Sequence, residues 1–188
     1  MDNLIFACTD GLDQPTIPSC PTDYGERVVA FAIMKDGGTF TVAGSDNPTA
    51  AEFVTAITAG EVAYYDGITN GHKIEQGATE LGGDDTISGG TERGDVMYRV
   101  EGRLKLFNEA VKRATEKLDK LSTIRLWYFT DKNYCFGGKE GLKASPNFSE
   151  HIIEGKGVPP YIPYFFDYTA IGADYANYDA DYADLVNP

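Results

Sequence analysis

VMYRVEGRLKLFNEAVKRATEKLDKLSTIRLWYFTDKNYCF, residues 96–136, reads as an alternating strand, an amphipathic helix and an aromatic strand in succession. Val96, Tyr98, Val100, Leu104 and Leu106 fall on one side of a period-two pattern, with Met97, Arg99, Glu101, Arg103 and Lys105 on the other. That alternation describes a strand with one buried and one solvated face. Asn108 has the short polar side chain of a helix N-cap. Behind it, Val111, Ala114, Leu118 and Leu121 recur at spacings of three and four, with Lys112, Arg113, Glu116, Lys117 and Lys120 outward. A stripe that narrow packs against a single surface. Ile124 to Thr130 is β-branched and aromatic, and Asp131-Lys132-Asn133 supplies turn chemistry before Tyr134, Cys135 and Phe136. The helix is expected to lie across a sheet. The fold class is mainly β (α+β): a β-sandwich or barrel-like sheet with one main flanking helix, a short second helix and extended terminal arms.

Working outward, Val28 to Met34 and Thr39 to Ala43 read as strands of a hairpin joined by Lys35-Asp36-Gly37-Gly38. Asn47-Pro48-Thr49 starts a short helix with Phe53, Val54 and Ile57 inward and Gly60 as its stop. Val62 to Tyr65 and Lys73 to Glu75 flank Asn70-Gly71, a turn dipeptide that predicts a further hairpin. Gln76 to Asp95 is rich in glycine and acid and reads as a long loop, and Gly137 to Gly157 as a second irregular stretch. Pro159, Pro160 and Pro163 place the aromatic run Tyr161 to Tyr168 on an edge or outer strand. The expected organisation is an extended N-terminal arm over 1–27, one β-rich domain over 28–168 and an acidic, Tyr-rich tail over 169–188. In that tail Tyr175, Tyr178, Tyr182 and Leu185 recur at helical spacing, a stripe suited to docking on another protein or on its own domain.

The chain has 188 residues, 42% of them hydrophobic, enough for one ordinary core. A net charge of -13 lacks the clustered Lys and Arg that phosphate binding needs, and it disfavours anionic membranes. It suits a solvated acidic surface, or a passage through which nucleic acid slides without sticking. Cys8, Cys20 and Cys135 have no CxxC spacing and an odd count, so a disulfide framework is not expected. Leu4 to Cys8 is too short for a signal peptide or a membrane span, and assembly in a reducing cytoplasm is the default.

No catalytic, cofactor-binding or metal-ligating residue is assigned. A Cys–His nucleophile would need Cys135 beside His72 or His151, neither of which sits in a motif. Asp84-Asp85 with Glu80 and Glu92 lacks the ligand register of a calcium loop, and no Gly-Lys-Ser/Thr ending makes a phosphate loop. Arg93-Gly94-Asp95 is a three-letter match and receives no role. Glu52, Glu61, Glu75 and Asp131 give no paired-carboxylate arrangement. Tyr64, Tyr65, Trp127 and the Tyr161 to Tyr168 run offer a carbohydrate-stacking platform, although strand alternation sends about half of them into a core.

From Val28 to Tyr168 the order of elements resembles the tail-tube proteins of long-tailed bacteriophages and the related tubes of injection systems. In that family a β-sandwich or barrel carries a helix on its flank, like Asn108 to Leu121, a long loop like Gln76 to Asp95 reaches a neighbouring subunit, and termini like 1–27 and 169–188 order on stacking. The resemblance implies a non-enzymatic virion structural protein, assembled in the host cytoplasm into rings or a tube of tail-tube or head-tail connector type. Its partners would be itself and other virion proteins, with genomic DNA as passing cargo, and no membrane or cofactor. The competing expectation is a carbohydrate- or host-surface-binding β module, in which replacing Trp127 or Tyr164 by Ala abolishes binding. A capsid decoration protein stands third.

Overall fold

Residues 28–34 have apolar side chains on both faces of the strand they form, which requires two separate cores, one on each side. The computed structural model describes residues 27–38, 40–41, 43, 47–82, 91–105, 108–157, 159–170, 176–179, 181–182 and 185. In chain order the elements are β1 (Val28–Lys35), α1 (Ala50–Ala59), β2 (Ala63–Tyr65), β3 (Ile68–Gly82), β4 (Thr91–Lys105), α2 (Glu109–Leu118), β5 (Ile124–Thr130), β6 (Tyr134–Phe136), β7 (Leu142–Phe148), β8 (Tyr161–Ala170) and β9 (Ala176–Tyr178).

Six strands close an antiparallel barrel in the order β1-β3-β4-β8-β7-β5, with β5 returning to β1 over Val28 to Lys35. β2 runs along the same edge of β1 as β3, so the two act as one broken stave. β6 continues the edge of β5 beyond β7 and carries β9 outside it. Closure gives a barrel, the second of the two architectures expected from the sequence.

The barrel interior is filled by Phe31, Ile33, Val100, Leu104, Ile124, Leu126, Tyr128, Phe148, Ile162, Tyr164, Phe166 and their neighbours. Outside the β1–β5 wall a second core gathers Ala30, Ala32 and Met34 with Trp127 and Phe129, under Phe53 and Ala56 of α1. A bulge at Val29 keeps both cores in register: Val28 pairs with Thr130 but Ala30 with Phe129, so one extra residue changes which face Val28 occupies.

Both helices begin as their sequences direct. Thr49 caps α1 in a reciprocal box with Glu52, and Gly60 ends it in the left-handed conformation at φ 73°. Phe53 is buried and Ile57 partly so, but Val54 is 52% exposed; Ala50 and Ala56 take the inward positions instead. Asn108 Oδ1 accepts from the Val111 N–H at the start of α2. Val111, Leu118 and Leu121 then cover the barrel core, and Phe148 N–H donates to Asp119 Oδ1.

Five expectations are corrected. Residues 40, 41 and 43 are not strand, because both edges of β1 are already taken, by β2 at 31–33 and by β5; Phe40 packs on Phe53 and Trp127 instead. Asn70-Gly71 is not a hairpin turn but a bulge within β3, with Asn70 at φ 54° and two residues opposite Gly102. Gly71 is required there by contact, since a Cβ would stand 2.2 Å from the Val28 carbonyl oxygen. Gln76 to Asp95 is strand as far as Gly82 and again from Thr91, despite its glycines. Gly137 to Gly157 contains β7, where Ala144, Pro146 and Phe148 point in and Lys143, Ser145 and Asn147 out. The aromatic run forms β8 between β4 and β7, not an edge. Pro163 is tolerated because it lies at the end of the β7 pairing, where the Ser149 N–H donates to its carbonyl and only the return bond is missing.

Candidate functional site

The residues that the sequence offers for chemistry are dispersed or inert. Cys135 is fully buried in the outer core, and burial holds its thiol protonated well above the ordinary range. His72 is exposed on β3, with Nε2 3.3 Å from Glu101, while His151 is exposed beyond β7. Neither histidine belongs to the cluster around Cys135. Glu52 serves the α1 cap, and Asp131 lies 3.6 Å from Arg27. No group of three or more His, Cys, Asp or Glu among the described residues is arranged to hold a metal ion. No helix among them is long and apolar enough to cross a membrane. Asp84 and Asp85 lie outside the described residues.

The aromatic platform is also corrected. Trp127 is 0% exposed, with its Nε1–H donating to the Gly138 carbonyl at 2.8 Å; Tyr161, Tyr164, Phe166 and Tyr168 are buried, and Tyr64 and Tyr65 half-buried. Trp127, Tyr64, Tyr65, Tyr164, Phe166 and Tyr168 belong to the two cores, while Tyr161 lies outside them beneath Arg103. Two members of the tail's Tyr stripe are not free for a partner either. Tyr182 and Leu185 are buried on the chain's own outer core, where Tyr182 packs edge-on to Phe53 and Phe129 and its hydroxyl donates to the Pro48 carbonyl. Residues 176–178 form a strand, so the helical spacing fails there, whereas Tyr182 and Leu185 are helical; Tyr175 lies outside the described residues.

What remains is surface, and it divides into a spent face and an unspent one. On the outer side of β3, β4 and β8, Arg99 makes two bonds to Asp167, at 2.7 and 2.8 Å, with its guanidinium 4.0 Å above the Phe165 ring. The hydrogen bond to Asp167 raises the Arg99 pKa further. Arg103 lies over Tyr161 and reaches Glu154, which also accepts from the Tyr161 hydroxyl. A hollow of about 360 Å³ on this face is therefore lined by charges that already have partners.

At the end of the barrel where β4 gives way to α2, a groove of about 430 Å³ separates the helix from Ser149, Glu150 and His151. Its floor is Phe148 and Ile162, and Lys112, Glu116 and Lys120 form the helical wall. Ile152 and Ile153 follow, 40% and 69% exposed. At the opposite end, β8 stops pairing at Val96↔Ala170, yet β3 and β4 continue against one another to Gly82↔Thr91. The hairpin thus rises past the barrel as a two-stranded ribbon. The sequence signalled this groove only as the polar face of an amphipathic helix, because its floor comes from two strands distant in the chain.

No family model matches this chain, and no curated protein matches it. The site is read from geometry and charge.

Proposed function

We propose that this chain is a non-enzymatic, self-assembling structural protein of a virion, forming rings or a tube of the tail-tube or head-tail connector type. The observation that carries this reading is the ribbon formed by the ends of β3 and β4 beyond the barrel. A two-stranded ribbon is marginal by itself in water, and a chain that keeps one has a use for it against a partner. Heterologous contacts between identical copies close into rings or continue as tubes. The charge of -13 suits a wall that repels phosphates and lets a genome pass as cargo. Other virion proteins would meet the two ends of such a stack. The burial of Trp127 and Tyr164 counts against a glycan platform built on those two rings.

The test is negative-stain electron microscopy of the concentrated protein at several salt levels, which screen its self-repulsion. Rings or tubes of constant diameter are the expected result. Small dispersed particles under every condition would refute the proposal and move a binding module ahead.

A further inference from the structure

The chain between β7 and β8 is pinned in place yet leaves apolar surface bare. Ser149 N–H donates to the Pro163 carbonyl at 2.9 Å, and Ile152 exchanges both backbone bonds with Tyr161, at 2.8 and 3.1 Å. Glu154 accepts from the Tyr161 hydroxyl and faces Arg103. Ile152 and Ile153 are therefore held at fixed positions, 40% and 69% exposed, the only adjacent pair among the exposed large hydrophobic residues described. The groove beside α2 opens next to them, since Ser149, Glu150 and His151 make its second wall and Phe148 and Ile162 its floor. A knob and a hollow, both apolar, lie side by side at one end of the barrel.

The charges around them come in both signs. Lys112 and Lys120 line the groove with Glu116, Asp119 and Glu150, a near balance in a chain of net charge -13. Asp119 accepts from the Phe148 N–H, whereas Lys112, Lys120, Glu116 and Glu150 hold no ion pair among the described residues. A second acidic copy, repelled over most of the surface, meets little repulsion here. A strongly basic or strongly acidic partner gains little from a balanced patch, but a patch that complements itself needs both signs on it.

We infer that two copies dock through these ends about a twofold axis, the Ile152–Ile153 knob of each seated in the α2 groove of the other. Glu150, three residues before Ile153, enters with the knob and meets Lys112 and Lys120 of the copy across. Because knob and hollow belong to the same face, a single contact covers both on each copy and closes at two. About a dozen residues a side, against roughly 20–30 in an interface of standard size, make the pair weak and reversible in isolation. This contact goes beyond the ring reading and does not depend on it. Within rings it would join two of them back to back, since the β3–β4 ribbons leave from the opposite end of each barrel.

The test is sedimentation of the full-length protein over a concentration series, beside the variants I153D, K112E/K120E, E150K and K112E/K120E/E150K. None of these changes falls at a buried position, and circular dichroism checks each fold. Wild type should pass from monomer to dimer as concentration rises, and I153D should remain a monomer throughout. K112E/K120E and E150K each place like charges at both joints and should dimerise at least about tenfold more weakly. An equimolar mixture of the two, and the triple variant, should recover wild-type dimerisation, because every joint again pairs opposite signs. A wild type that stays monomeric, an I153D that dimerises like it, or a mixture no better than its parts overturns the proposal; should I153D lose the wild-type spectrum, the charge variants decide alone. Where electron microscopy shows wild-type rings, I153D should leave them single. Rings or tubes that I153D does not change would sink this contact and spare the assembly reading, and dimers without rings would do the reverse.

Discussion

Replacing Tyr182 by Ala tests whether the C-terminal segment belongs to its own barrel. Tyr182 is 0% exposed, lies 5.4 Å from the Phe129 ring and 6.4 Å from the Phe53 ring by centroids, and donates its hydroxyl to the Pro48 carbonyl. Truncating a buried aromatic costs about 3–5 kcal/mol, and a segment near a terminus can undock instead of leaving a full cavity, which favours the lower end. About 3 kcal/mol in a chain of this size lowers Tm by roughly 6–12 °C. Two companions divide that figure. Tyr182→Phe removes only the hydroxyl and leaves the Pro48 carbonyl unpaired, a loss of about 1–2 kcal/mol. Truncation after Asp179 should cost within about 1 kcal/mol of Tyr182→Ala, because losing the ring already frees the segment. The assay is urea unfolding of the dispersed protein, followed through the emission of Trp127, the only tryptophan. A Tyr182→Ala protein with wild-type stability that no longer assembles would refute the reasoning, since it would put the side chain in a contact between molecules.

Three further outcomes follow from other parts of the fold. Gly71→Ala should cost more than about 3 kcal/mol or abolish soluble expression, because the Cβ would sit 2.2 Å from a backbone oxygen that cannot swing aside; an unchanged urea midpoint would contradict the β1–β3 contact. Asp36 is held below the usual carboxylate range chiefly by the Arg125 hydrogen bond, and Glu52 is held below it because the N–H groups of Ala43 and Thr49 and the Thr49 hydroxyl outweigh an opposing burial effect. Carboxyls lowered in the folded state contribute fully above their unfolded pKa, near about 4, and lose that contribution as pH falls through the folded value; Tm should drop below about pH 4, and less steeply in D36N/E52Q. In a Cys8→Ser/Cys20→Ser background, Cys135 should resist a thiol reagent in the native state and react only on unfolding; rapid native labelling would show that the outer core opens.

The elements that were legible from sequence are those whose burial is one-sided and local. β5 matches Ile124 to Thr130 residue for residue, the turn at 131–133 and the caps at Thr49, Gly60 and Asn108 stand where their side chains required, and the inward positions of β4 follow its alternation. Misreadings arose where a local signal was outweighed by a distant neighbour. Asn70-Gly71 has the composition of a tight turn, but the Val28 carbonyl occupies the space above Gly71 and the pair becomes a bulge. Pro146 and Pro163 argue against central strands unless the missing N–H falls where pairing ends, which depends on barrel stagger. Ala30 and Ala32 gave no sign of a second core, because small side chains on an outward face look the same whether solvent or a helix covers them. The groove beneath α2 was hidden for a related reason: its charged helical wall is visible in the chain, but Phe148 and Ile162 reach it only through the β7–β8 pairing.

The wall made by β1 and β5 has a consequence for how the molecule opens. Its amides lie between two apolar layers, so neither α1 nor the barrel interior can separate without exposing the other layer's support. Hydrogen exchange of Phe31 to Ile33 and Leu126 to Phe129 should therefore track global unfolding, while the ribbon ends of β3 and β4 exchange through small local openings. Pulling on the ribbon would open the least protected part first and reach the doubly covered wall last. A chain built this way yields at its ribbon before its barrel unfolds.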